Sequence, residues 1–245
     1  MRKLLYLTLL IFIYSCSTSR GVVNQTESEK NDFQVEFSGA LKNMMHKGDL
    51  SAYASLNDFK NIEHLYALGA IEKLKGEILI LDGIPYVSSV QENQLKIDNS
   101  FNYKASLLVN TVVKDWKEFD IHPKVRTYED LEKCIASKAK QNNISMSEPF
   151  PFMIMGKMDS LSWHVINWPV GDNEHSHEKH ISSGLHGTHK GIDVQILGFY
   201  SDRHHAIFTH HTTNMHLHFI SRDKSKTGHV DGLRLGNSTK LLLPK

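Results

Sequence analysis

Met215-His216-Leu217-His218-Phe219-Ile220, followed after a polar run by Gly228-His229-Val230, is the stretch on which the reading of this 245-residue chain turns. Side chains alternate faces along a strand, so His216 and His218 share one face while Met215, Leu217 and Phe219 enter an apolar layer on the other. The intervening Ser221-Arg222-Asp223-Lys224-Ser225-Lys226-Thr227-Gly228 is polar and ends in glycine, which favours a hairpin loop that returns His229 alongside His218. Three imidazoles with an open fourth position describe a catalytic zinc site. The competing reading of the pair is two histidines facing solvent on an edge strand. Burying two unpaired imidazoles without a partner would be costly.

Outward from this stretch, composition excludes one class. The chain carries 28 basic and 27 acidic residues, a formal charge of +1, so nothing points to a polyanion and nucleic acid is not an expected partner. At 40% hydrophobic it can bury a core in one large domain or two small ones. Met1-Arg2-Lys3 precedes a short apolar run from Leu4 to Tyr14, and Ile13-Tyr14-Ser15-Cys16 resembles a bacterial lipobox. The expectation is a lipoprotein signal peptide over 1–15, lipidation at Cys16, and a polar tether over 16–32. The remaining domain, 33–245, would then be held at the membrane by its lipid in the cell envelope. A plain secretory signal is the alternative. With Cys16 so used, only Cys134 remains. No intramolecular disulfide is then available, and Cys134 reads as a small buried hydrophobe.

The coarse architecture is α+β, two strand-rich halves of about 33–145 and 146–245. Leu41, Met44 and Met45 recur at helical spacing before Lys47-Gly48-Asp49, a helix stop. Two apolar runs around Asp82-Gly83 predict a β-hairpin. Thr127-Tyr128-Glu129-Asp130 resembles a capping box ahead of the stripe Leu131, Cys134, Ile135 and Ala139, a structural helix. Strands are expected over 103–113, 150–154, 162–166, 191–200, 206–209 and 215–220.

Twelve of the 16 histidines lie between His175 and His229, so spacing has to choose among them. The stretch from Gly171 to Lys190 holds five of these among Gly, Ser, Glu and Lys, and reads as a surface loop. It is either simply solvated or a weak metal-capturing lid. His204-His205 and His210-His211 flank the expected 206–209 strand. One member of each pair could face the cleft, and His205 and His211 are candidates for supporting or substrate-contacting roles; the plainer reading has one of each pair packed and the other wet. Glu77 opens an apolar run and is a metal ligand, a general acid or base, or a solvated strand-end charge. A cupin is disfavoured because Ser221 and Arg222 stand where its first motif wants a glutamate, and there is no His-Glu-x-x-His of a zincin.

With His216-Leu217-His218-Phe219-Ile220-Ser221-Arg222-Asp223, Gly228-His229-Val230-Asp231 and Gly76-Glu77-Ile78-Leu79-Ile80-Leu81-Asp82-Gly83 in view, the chain resembles the acetolactate decarboxylase family from about Phe37 to Gly232. The resemblance implies a mixed sheet plus a smaller barrel-like sheet, with the metal in the cleft between them. It implies Zn2+ on His216, His218 and His229, with Glu77 as the cleft carboxylate. It also implies conversion of the small molecule 2-acetolactate to acetoin and carbon dioxide. Such chemistry is reasonable for a Lewis acid beside a proton donor. Two departures stand out. The family's arginine belongs to the strand corresponding to Phe152–Gly156, where this chain has Met153. The chain also ends 16 residues after His229, short of the tail that supplies a further glutamate in the family. A substituting cation would come from Lys157, His164 or Arg203, or else the substrate is a related 2-hydroxy-3-oxo acid, and a homodimer is compatible with the reading. Two rivals remain: a zinc hydrolase on the same scaffold, and a non-catalytic metal-binding envelope lipoprotein.

Overall fold

The computed structural model describes residues 33–245; the expected signal peptide, Cys16 and the tether lie outside the described residues. The N-terminal part forms β1 (Glu36–Ser38), α1 (Leu41–Lys47), β2 (Ala54–Ser55), β3 (Leu65–Ile71), β4 (Glu77–Leu81), β5 (Ile84–Gln91), β6 (Gln94–Asp98) and β7 (Lys104–Val112). They make one sheet in the order β1-β7-β3-β4-β5-β6, with β2 also on β7. Every pairing in it is antiparallel. The expected mixed sheet is therefore wholly antiparallel, as short hairpin links between β3, β4, β5 and β6 require. The β4–β5 turn carries positive φ at both Asp82 (48°) and Gly83 (74°), the two-residue hairpin its Asp-Gly signal predicts. Gly48 ends α1 at φ 60°.

The rest of the chain forms β8 (Trp116–Asp120), α2 (Tyr128–Gln141), β9 (Phe150–Val165), α3 (His177–Ser182), β10 (Leu185–Tyr200), β11 (Met215–Ser221), β12 (Thr227–Leu235) and β13 (Lys240–Pro244). Its sheet runs β10-β11-β12-β9-β13-β8, and β10 also pairs with β9. That extra pairing closes β9, β10, β11 and β12 into a small barrel-like ring. The chain passes from one sheet to the other between Val112 and Trp116, rather than near residue 145, because β8 pairs with the C-terminal β13. Both β8 and α2 thus belong with the second sheet.

Three expectations change. The strands expected at 150–154 and 162–166 are one 16-residue strand, β9, whose polar middle residues had looked like a break. The strand expected from Gly191 begins six residues earlier, at Leu185. Residues 206–209 are not a strand: the amides of Ile207 and Phe208 donate to the His204 carbonyl at 3.0 and 3.2 Å, a turn that satisfies itself locally and buries Phe208.

In α2 the capping box is complete, and Leu131, Ile135 and Ala139 are buried. Cys134 is only half-buried, at the edge of that stripe beside Lys138. These α2 residues join Met215, Leu217 and Phe219 in one apolar cluster within the second sheet. A second cluster fills the space between the sheets, with Leu68, Leu79, Leu81 and Leu107 meeting Leu197, Phe199 and Ile220. Burial of that wall, at roughly 25 cal/mol per Å² of apolar surface, holds the two sheets together.

Candidate metal centre

Strand register builds the site. His218 lies opposite His229 on the neighbouring strand, and His229 lies opposite His164 on the next. Directly opposed residues of an antiparallel ladder share a face. A row of three imidazoles therefore crosses β11, β12 and β9, with His216 one pleat along from His218. Ring centroids are 5.0 Å apart for His216 and His218, 5.1 Å for His216 and His229, and 5.3 Å for His218 and His229. Nε2 of His216 and Nε2 of His218 are 3.2 Å apart, and one ligand atom from each of the three rings falls within 4.8 Å of the others.

Glu77 reaches this wall from the other sheet. Gly76 before it has φ 150°, and a Cβ there would lie 2.0 Å from the Ser88 carbonyl oxygen, so glycine is required for β4 to start where it does. The Glu77 carboxylate is buried. Its Oε1 accepts the Ile166 N–H at 3.2 Å and lies 3.7 Å from His164 Nε2, while Oε2 lies 3.7 Å from His218 Nε2. On its other side His164 meets Asp231, Nδ1 to Oδ1 at 2.8 Å. Asp231 sits at a register shift between Val230 and Gly232, a bulge that re-aims its side chain toward the imidazole.

Burial pushes the Glu77 carboxyl up to about 7, against the pull of His164 and the Ile166 N–H. Burial also pushes His216 down to about 4 and His218 and His229 well below the usual histidine range, so these three rings are neutral at pH 7. His164 differs. Burial again works against its charge, but the Asp231 hydrogen bond and the neighbouring carboxylates outweigh it and raise its pKa.

The three neutral rings fit a zinc ion. Nδ1 of His216 and of His218 is buried with no partner at normal hydrogen-bond geometry; the Phe208 and Ile78 backbones approach those rings without closing the bond. Without an ion the two Nε2 atoms, 3.2 Å apart, can share one hydrogen bond; with both protons moved to Nδ1 their lone pairs would converge on a cation.

A cavity of about 890 Å³ opens onto Glu77, His164, His216, His229 and Asp231. His218, 1% exposed, sits behind this surface. His211 is at the cavity rim with His210. His205 is turned away, with Nε2 2.7 Å from Asn214 Oδ1, and its neighbour His204 packs on Phe208 at 5.0 Å. Arg203 is exposed beside Asp202, away from the cavity. Met153 is buried in the apolar wall between the sheets, so it is no part of the site; the side chain that β9 does present there is His164. Lys157 is exposed elsewhere, whereas Lys42 of α1 lines the cavity.

The histidine-rich stretch is more than a surface loop. It contains α3, capped by the Ser176 hydroxyl accepting the Lys179 N–H, and the start of β10. His175 stacks on Trp168 at 4.3 Å and lies 2.9 Å, Nδ1 to Nε2, from His180, which fixes α3 near the cavity. Sequence reasoning missed Lys42 and Asp231. The second had a signal, because it follows His229 by one strand period.

Fold and site together define a class: a two-sheet α+β protein whose barrel wall carries an imidazole triad faced by a carboxylate from the other sheet. The sequence matches the family model of alpha-acetolactate decarboxylase over residues 33–242, and the chain belongs to that family. Alpha-acetolactate decarboxylase from Bacillus subtilis strain 168 superposes with a TM-score of 0.68 at 18% identity, over 86% of each chain. The enzyme from Bacillus subtilis subspecies spizizenii gives 0.68 at 17% identity, again over 86% of each. A Staphylococcus aureus protein of unknown function, similar to alpha-acetolactate decarboxylase, gives 0.66 at 14% identity over 86% of this chain and 85% of its own. At such identities the superpositions speak for the fold. No curated protein sequence matches the chain.

Proposed function

We propose that this chain is a zinc-dependent carboxy-lyase that converts 2-acetolactate, or a related 2-hydroxy-3-oxo acid, to acetoin or its analogue and carbon dioxide. The observation that carries this reading is the triad of neutral imidazoles on the barrel wall with Glu77 beside it, 3.7 Å from His218, on a cavity large enough for such an acid. His216, His218 and His229 would hold the zinc. Bound there, it supplies Lewis acidity toward the hydroxyl and carbonyl oxygens of the substrate.

The chain's own residues do the rest. Glu77, anchored through Oε1 by the Ile166 amide, is placed to deliver a proton to the carbon that loses carboxylate. His164, oriented by Asp231, would offer the substrate carboxylate a hydrogen-bond donor in a chain that lacks the family's arginine. The apolar wall between the sheets keeps water from the back of the cavity. Lipidation at Cys16 would place this domain at the membrane surface, and a Cys16→Ser protein still found in the membrane fraction would contradict it.

Acetoin production from racemic acetolactate, measured before and after chelation, tests the reaction. Activity that survives complete metal removal would end the zinc reading. One tightly held zinc with no acetoin formed would favour a different zinc chemistry on this scaffold.

A further inference from the structure

The mouth of the cavity holds a second group of imidazoles that the triad does not use. His177, in the first turn of α3, has its ring centroid 4.6 Å from that of His210, and His210 lies 4.0 Å from His211. All three line the cavity, as does Glu178 next to His177. Among the described residues none of the four takes part in an ion pair within 4.0 Å. The Glu178 carboxyl is held below its ordinary pKa first by its own backbone N–H and the Ser176 hydroxyl, and the nearby His177 and His210 act in the same direction.

The two sides of this rim are anchored separately. α3 is held through Trp168, with His175 stacked on it and His180 edge-on at 4.8 Å. The opposite side, residues 210–214, is held by Glu132, whose carboxylate accepts from Thr213 Oγ1 at 3.0 Å and from the Asn214 amide at 3.1 Å. Between the anchors the imidazoles face one another. Three imidazole nitrogens and a carboxylate suit a borderline first-row cation such as Zn2+ or Cu2+, and not Mg2+ or Ca2+, which prefer all-oxygen shells.

We infer that His177, His210 and His211, with Glu178, form a second transition-metal site at the mouth of the cavity, one that clips α3 to the 210–214 segment when loaded. His210 Nδ1 accepts the Thr212 N–H at 3.4 Å and lies 2.8 Å from Thr212 Oγ1, so loading the ion on Nε2 requires the other tautomer, with Nδ1–H donated to that hydroxyl. The ligand atoms of this group have not converged as those of the triad have, so the site closes by turning side chains of which His177, Glu178 and His211 are exposed and His210 half-buried. Ordering them opposes binding, and the rim site is therefore the weaker of the two. The inference does not depend on what the inner triad catalyses.

The test uses the full-length chain stripped of metal and titrated with Zn2+ by calorimetry, then with Cu2+ by electron paramagnetic resonance. The expected result is two classes of site, one tight and one weaker. In a His177→Gln, His210→Gln, His211→Gln protein the weaker class should lose at least about tenfold in affinity, with its imidazole nitrogen couplings gone and the tight class unchanged. In His218→Ala the reverse should hold. Should the buried substitution fail to fold, the rim variant alone decides, because its changes lie on partly exposed side chains. A single class of site in the natural chain, or a weaker class untouched by the rim substitutions, overturns the inference.

Discussion

His218 is enclosed on all sides: by His216 on its own strand, by His229 across the ladder and by Glu77 from the other sheet. Replacing it with alanine should abolish the tight zinc, a loss of at least about a hundredfold in affinity, read by elemental analysis after dialysis. An unchanged zinc content would show that the ion sits on other histidines. Glu77→Gln keeps the size and the Ile166 contact but removes the transferable proton. It should lower kcat by roughly 10²- to 10⁴-fold while zinc content stays the same. The pairing of His216 with His218 was legible in the sequence because strand alternation acts over a few residues, whereas the grouping with His229 and Glu77 came with the family resemblance. The partnership of His164 with Asp231 was not legible, because it joins residues 67 positions apart through a bulge. Nothing local in either segment announces that pairing.

At the scale of elements, α2 shows local rules holding. Thr127 Oγ1 accepts the Asp130 amide at 3.1 Å, and the Asp130 carboxylate accepts the Thr127 amide at 3.0 Å. Thr127→Ala should cost about 0.5–2 kcal/mol of stability, measured by urea unfolding. These hydrogen bonds hold the Asp130 carboxyl below its ordinary pKa. A depressed carboxylate stabilises the fold above its unfolded pKa of about 3.9, and that contribution fades as pH falls through the lower folded value. The stability difference between the natural chain and Asp130→Asn should therefore be present at pH 7 and vanish in acid. A difference that stayed constant down into strong acid would show that the charge is irrelevant to the cap. Other elements were hidden for an equally physical reason. β9 carries Lys157, Asp159 and Ser160 at its centre, residues that look like a loop until β10 pairs with them along its length. The turn at 206–209 has strand-like composition, but its amides find a nearer acceptor in His204.

At the scale of the molecule, the site is assembled by packing one sheet on the other. A metal bound only by the folded chain stabilises it by mass action, about 2.7 kcal/mol when free metal stands at a hundred times Kd. Chelation should therefore lower Tm, and readdition of zinc should restore it. An unshifted Tm across both steps would mean that no ion is held by the native state alone. The fold class, two strand-rich halves, was legible from patterning, whereas the barrel came only with the family resemblance, since the β9–β10 pairing that closes it crosses the histidine-rich stretch that looked unstructured.

The imidazole row belongs entirely to the closed ring of β9 to β12, while the acid that faces it arrives on β4. Under the proposed function, holding an ion and choosing a reaction would thus be tasks of separate parts of the chain. A relative that altered β4 or the rim would change or lose its chemistry and remain a metal carrier, so zinc content by itself is a poor guide to which members of this fold are catalysts.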